Sequence, residues 1–143
     1  MRGTPMIDLE QIEIERAQRK ELLAEQRRQQ HAIDVARLNE LEIEHGDDGV
    51  ARVDVGRYAP GLPTLVVVRP LKKAELKRFR DRVRGEGADN AAAAEEAAIA
   101  ALLYPSRDSD EWRALLDAVP GVLVRAGVAA VELAAGIERA TGN

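Results

Sequence analysis

The sequence predicts a mainly α-helical fold with a small β-hairpin (α+β), in which a charged helical arm precedes a compact bundle of about four helices. Alanine is abundant, and it favours helix because it loses no side-chain entropy there. Aromatic residues make up only 3% of the chain, so the core has to be built mainly from Ala, Val, Leu and Ile. Two short β-branched runs predict the hairpin. The expected division is an arm over residues 1–45 and a domain over residues 46–143.

The chain has 143 residues, a formal net charge of −4 and no cysteine. This length suits one domain with a modest core. The negative charge does not favour nucleic acid or an anionic membrane as a partner, and the lack of Cys excludes disulfides, thiolate zinc sites and cysteine nucleophiles. The N-terminus becomes charged at once and has no apolar segment, so we expect no secretory signal peptide and a cytoplasmic location.

Residues 7–45 form a highly charged segment without Gly or Pro, in which ten acidic and six basic side chains are interspersed. This pattern favours an extended helix. A coiled coil is not sustained, because the heptad position of Ile7 and Ile14 continues with Glu21 and Arg28. Apolar residues return in the second half, where they predict docking and are candidate oligomer contacts: Val35, Leu38 and Leu41. The alternative is a solvated, partly frayed arm.

A turn and a hairpin follow the arm. The sequence "HGDDG" at 45–49 has turn chemistry, and it lacks the spaced oxygens and distal Glu of a calcium loop. The segment 50–55 alternates apolar and polar residues, and 64–69 is a second β-branched run; a loop rich in Gly and Pro joins them. Because a lone hairpin is marginal in water, we expect it to pack on the helices that follow.

Four helices are expected after the hairpin. The first, over 71–84, carries a narrow apolar stripe at Leu76, Phe79 and Val83. The second starts at a cap from Asp89 or Asn90 and runs through the alanine-rich "AAAAEEAAIAALLY".

The third and fourth helices have the clearest start and stop signals. Asp108 and Glu111 have capping-box spacing before an amphipathic helix that bears Trp112. Pro-Gly at 120–121 ends it. The last helix, about 121–140, has a small-residue row at Ala126, Ala130 and Ala134, and two charges inside its apolar run make burial within the protein a better interpretation than a membrane span.

The sequence contains no recognisable catalytic or metal-binding constellation. The two histidines lie fourteen residues apart, and the two serines, Ser106 and Ser109, fall where a turn or a helix start favours hydroxyls rather than in a nucleophile elbow. No glycine-rich phosphate loop is present. We therefore expect a protein that is not an enzyme, with no catalytic residues, no metal site and no cofactor.

The order of these features resembles a known family. A hairpin is followed by an Arg-Pro step, an "ELKRF" helix, a small-residue helix ending in "LLYPS", a helix bearing Trp112, a Pro-Gly break and a final apolar helix. This order resembles the small tail assembly chaperones of long-tailed bacteriophages and phage-like elements, over about residues 40–137. The arm over 7–40 departs from the usual compact member, and Leu76 stands where an aromatic is expected. The matching residues are Arg69, Pro70, Glu75, Arg78, Phe79, Tyr104, Pro105, Pro120 and Gly121.

The resemblance implies a non-enzymatic function. Such chaperones coat the tape measure protein, keep its hydrophobic helices from aggregating, help to recruit tail tube subunits and leave as the tube polymerises in the host cytoplasm. Many are made in two lengths through a programmed frameshift, and this chain would be the short form. The candidate partner-binding residues are Arg69, Leu76, Arg78, Phe79, Tyr104, Trp112 and Leu116.

Three alternatives stay open at this level. The apolar candidates could form the core and contact no partner. The protein could be a structural tail component, such as a terminator or connector subunit, whose arm reaches a neighbour and forms a homo-oligomer. It could also bind nucleic acid through the stretch 66–84, which has eight basic and two acidic residues. The basic residues surround that helix rather than lie on one face, and aromatics that could stack on bases are scarce, so nucleic acid is the weaker expectation.

Overall fold

The computed structural model describes residues 8–57, 59–85 and 87–141. Over these residues the chain forms five α-helices and a three-stranded sheet, which confirms the predicted mainly α fold. The elements, in chain order, are α1 (Leu9–His45), β1 (Ala51–Asp54), β2 (Leu65–Val68), α2 (Lys73–Arg84), α3 (Asn90–Ala101), β3 (Leu102–Tyr104), α4 (Asp110–Ala118) and α5 (Gly121–Ala140).

The sheet is antiparallel, and β2 lies at its centre. β1 pairs with β2 from Ala51 opposite Val68 to Asp54 opposite Leu65, which confirms the predicted hairpin. The third strand was not predicted, because the residues "LLY" were expected to end a helix. They instead pair with the free edge of β2, with Val67 opposite Tyr104. A buried central strand needs backbone partners on both edges, and this requirement overrides the local helical preference.

Both faces of the sheet are covered. All four residues of β2 are fully buried. Leu65 and Val67 pack on one face with residues of α1, whereas Val66 and Val68 pack on the other with residues of the helical bundle. Alternate side chains of a strand point to opposite faces. The molecule therefore has three layers, with α1, the sheet and the remaining helices in that order.

The main core depends on a close approach of α3 and α5. The predicted small-residue row on α5 is confirmed, because Ala126, Ala130 and Ala134 are all buried. A Cβ atom added to Gly127 would lie 1.8 Å from the carbonyl oxygen of Ala94 on α3. Only glycine fits at this contact, so the two backbones are held together by small residues rather than by interlocking large ones.

The start of α4 differs by one residue from the prediction. Ser109, not Asp108, is the N-cap, and its side-chain oxygen accepts a hydrogen bond of 3.1 Å from the Trp112 backbone N–H. Asp110 and Glu111 then occupy the first turn, where negative charge favours the helix dipole. Trp112 itself is buried in the main core.

The two halves of α1 have different surroundings. The helix has 37 residues and is about 55 Å long at 1.5 Å per residue. Residues 9–29 are exposed, apart from two half-buried side chains, whereas docking on the sheet begins near residue 30. The helix confirms the predicted arm, except that Ile7 lies outside the described residues.

The second half of α1 belongs to the folded domain rather than to a separate arm. Leu38 and Leu41 are 4% and 2% exposed, and they pack on Leu65 and Val67 of the same chain. Val35 is half-buried in the same cluster. Leu38 and Leu41 thus use their surface within one chain and not in the oligomer contact for which they were candidates, whereas the half-buried Val35 stays a candidate. Residues on both sides of the boundary that we expected at residue 45 therefore pack in one hydrophobic cluster.

Among the described residues no single helix is both long and apolar enough to cross a membrane, and α4 and α5 satisfy those criteria only as a pair bent by 107°.

Candidate functional site

The most apolar open feature of the helical layer is a groove between α2, α3 and α5. It consists of two depressions, of about 50 and about 380 Å³, that share Phe79 as a lining residue. We call it the Phe79 groove. Its apolar lining includes Phe79, Val83, Ala94, Ala97, Val124 and Val128.

The local sequence explains why a groove forms here. On α2, Leu76 points into the core and is 4% exposed, whereas Phe79 and Val83 along the same stripe are half-buried. The facing residues of α3 are alanines, whose side chains are too short to fill the space beside Phe79. On α5, Val128 remains 42% exposed. The groove is therefore a consequence of placing one aromatic residue against helices of small residues.

The charges along the rim are mostly paired. Glu75 pairs with Arg69, and Arg82 pairs with Glu96 across the α2–α3 boundary. Arg78 also lines the groove and is exposed, and it makes no ion pair within the described residues. The unpaired charge on this rim is positive.

Arg69 ties the end of β2 to the start of α2. Its guanidinium group donates to both carboxylate oxygens of Glu75, at 2.8 and 3.1 Å, and to the carbonyl oxygen of Ala100 at 2.7 Å. Glu75 also accepts from the Lys72 backbone N–H at 2.8 Å. The hydrogen bonds from Arg69 lower the pKa of Glu75 from 4.5 to about 2, and the Lys72 N–H adds to this effect. Arg69 therefore acts as a structural tie between the end of β2 and the start of α2.

A second polar centre lies under α1. Asp34 is fully buried, and its Oδ2 accepts hydrogen bonds from the Thr64 backbone N–H and hydroxyl at 2.6 and 2.7 Å. Its Oδ1 accepts from Gln30 at 2.9 Å and from the Tyr104 hydroxyl. The ring of His31 lies 2.8 Å from the Thr64 hydroxyl oxygen. We call these five residues the Asp34 anchor, because they join α1 to β2 and β3.

The chemistry of the Asp34 anchor is that of a structural network. Burial raises the pKa of the Tyr104 phenol well above its ordinary value, and the adjacent Asp34 carboxylate raises it further. Tyr104 therefore stays protonated and donates to Asp34. A cleft of about 510 Å³ lies beside this centre, between α1 and the start of α4. The buried side-chain polar atoms of the described residues all have hydrogen-bond partners, so the buried part of this network is satisfied within the protein.

The structure distributes the residues that we expected to bind a partner over three places. Arg78 and Phe79 lie together in the Phe79 groove, with Arg69 held nearby by Glu75. Tyr104 lies on the other side of the sheet, in the Asp34 anchor. The remaining candidates pack in or against the main core: Leu76, Trp112 and Leu116.

Sequence reasoning missed the groove-lining residues of α3 and α5 and, apart from Tyr104, the residues of the Asp34 anchor. The anchor had one usable signal, since Asp34 lies four and seven residues before Leu38 and Leu41 and so shares their helix face. An acidic residue inside an apolar stripe indicates a buried hydrogen-bonded carboxylate. Thr64 carried no comparable signal.

Two of the arginines of α2 are neutralised by ion pairs. Arg80 binds Glu138 of α5 through two hydrogen bonds of 3.1 Å, and Arg82 binds Glu96. Within the described part of the chain, no group of three or more His, Asp or Glu side chains is placed to hold a metal ion.

Comparison with known proteins finds no matching protein family, and no significant match among curated proteins or solved structures.

Proposed function

We propose that this protein is a non-enzymatic phage tail assembly chaperone that binds and solubilises the tape measure protein and helps to recruit tail tube subunits in the bacterial host cytoplasm. Two observations support the proposal. The order of sequence motifs resembles that family, and the Phe79 groove offers an apolar surface with a charged rim on the helical layer. The groove is the observation that carries the mechanism.

An amphipathic client helix fits this kind of surface. Such a helix places apolar residues at positions i, i+3, i+4 and i+7 in a groove, while its polar face stays in water. The exposed Val128 and half-buried Phe79 would meet those apolar residues, and Arg78 would meet an acidic one. A shallow site of this size suits the moderate affinity that a chaperone needs if tube subunits are to displace it.

A structural tail component is the second candidate, because about half of α1 extends beyond the folded domain. Light scattering separates the two: a stable ring that depends on residues 9–29 favours a terminator or connector, whereas a client-dependent complex favours the chaperone. Nucleic-acid binding is less well supported, since Arg80 and Arg82 are engaged by acidic residues.

Co-expression with the tape measure protein of the same genetic element tests the proposal. We expect the tape measure protein to become soluble and to elute with this chain from a sizing column. Substituting Val128→Glu places a charge in the apolar groove and should abolish the complex.

The matched control is Ile43→Glu, which makes the same kind of change at a residue that is 86% exposed and lies on the opposite layer. It should leave the complex intact. If the tape measure protein stays insoluble with the unsubstituted chain and no complex elutes, the proposed function is wrong.

A further inference from the structure

The first residues of α1 carry an exposed acidic and apolar surface. Over residues 8–15 the chain has four acidic residues and no basic one, since the next basic side chain is Arg16. Leu9 is 69% exposed, and it lies three residues before Ile12, so both share one face of the helix. We call residues 8–15 the arm tip.

The Phe79 groove has the complementary character. Its floor is apolar, and Arg78 is the rim residue that forms no ion pair with the part of the chain the structure describes. The arm tip and the groove therefore match in both polarity and charge, although the protein as a whole is acidic.

The arm tip and the groove of one chain lie on opposite sides of the sheet. The second half of α1 covers the face formed by Leu65 and Val67, whereas α3 and α5 cover the other face. α1 is continuous from Leu9 to His45, and its exposed part extends roughly 30 Å at 1.5 Å per residue. A continuous helix docked on one face cannot bring its tip to the other face of the same chain.

We propose that the arm tip of one copy docks in the Phe79 groove of a second copy. This is a head-to-tail contact, in which each chain offers one arm and one groove, so it can propagate beyond a dimer. The inference stands independently of the proposed function. If a client helix also binds the groove, it competes with the arm and shortens the assembly.

Sedimentation of the full chain at increasing concentration tests the contact. We expect concentration-dependent association at low salt that weakens as salt rises, because the rim charges are exposed. The arm variant Leu9→Ser/Glu13→Gln loses apolar contact and negative charge, and the groove variant Arg78→Glu/Val128→Glu places negative charge in the groove. Each variant should weaken association by at least about tenfold. Circular dichroism confirms that both variants keep their helix content.

The decisive step is to mix the two variants. The arm variant keeps an intact groove, and the groove variant keeps an intact arm, so the mixture should form a heterodimer that grows no further. A monomeric chain at all concentrations overturns the proposal, as does a mixture that stays monomeric. Association that the arm variant abolishes and the groove variant leaves unchanged would show that arms pair with each other, which also overturns it. Ile43→Glu serves as the control and should associate as the unsubstituted chain does.

Discussion

The helices α1 and α5 are attached to the protein in two different ways. α5 has 20 residues, five of them buried, and it contacts α3 through glycine and alanine with almost no space between the backbones. α1 has 37 residues, three of them buried, and one of those three is the carboxylate of Asp34. An apolar helix gains its stability from continuous close packing, whereas a charged helix needs a few specific buried hydrogen bonds to define where it docks. The difference predicts how each attachment can be broken.

The largest loss of stability is expected from removing the carboxylate at the centre of the Asp34 anchor. Asp34→Ala leaves the buried Thr64 N–H and the Tyr104 hydroxyl without their acceptor. The free energy of unfolding measured in urea should therefore fall by about 3 kcal/mol. The control is Glu21→Ala in the exposed half of α1, which should change stability by less than about 0.5 kcal/mol. Equal effects of the two substitutions would contradict the distinction between the halves of α1.

A smaller loss of stability is expected from a substitution at the close contact between α3 and α5. Gly127→Ala places a methyl group against the Ala94 carbonyl, so the helices have to separate, at a cost of about 2 kcal/mol in thermal or urea unfolding. Gly136→Ala on the same helix is the matched control, because a Cβ there meets only the far end of Arg139 at 3.9 Å. It should stabilise the protein by about 0.5 kcal/mol or more through its higher helix propensity. If both substitutions stabilise the protein, the close contact between Gly127 and Ala94 is contradicted.

The smallest loss of stability is expected at the ion pair of Arg69 and Glu75, which is less buried than Asp34. Glu75→Gln removes the charge that Arg69 binds, and we expect a loss of about 1 kcal/mol at pH 7, since both side chains are 22–23% exposed and partly screened by water. Because folding lowers the pKa of Glu75 to about 2, its contribution is present above about pH 4.5 and is lost as the pH falls towards 2.

Urea unfolding between pH 7 and pH 2.5 measures this contribution. The unsubstituted chain should lose more stability over that interval than the Glu75→Gln variant does. Glu138→Gln is the control, because its pair with Arg80 is more exposed, at 38% and 53% of the two side chains, and should affect stability less. Parallel pH profiles for the unsubstituted chain and Glu75→Gln would rule out the tie as a source of acid sensitivity.

The sequence by itself determined the features that depend on near neighbours. Helix propensity and periodicity placed α2 and α5 close to their observed limits, and the alternating and β-branched runs predicted the β1–β2 hairpin. The small-residue row of α5 could also be predicted, since its residues lie within a short stretch of chain.

Only the tertiary structure decided the features that join distant residues. Tyr104 and Asp34 are 70 residues apart, and neither their hydrogen bond nor the third strand follows from local preference, because both depend on what β2 needs at its second edge and face. The Phe79 groove likewise exists because three separate helices leave a space between them. Local propensity is a short-range property, whereas pairing of buried polar groups and packing of side chains are satisfied only when the whole chain has folded.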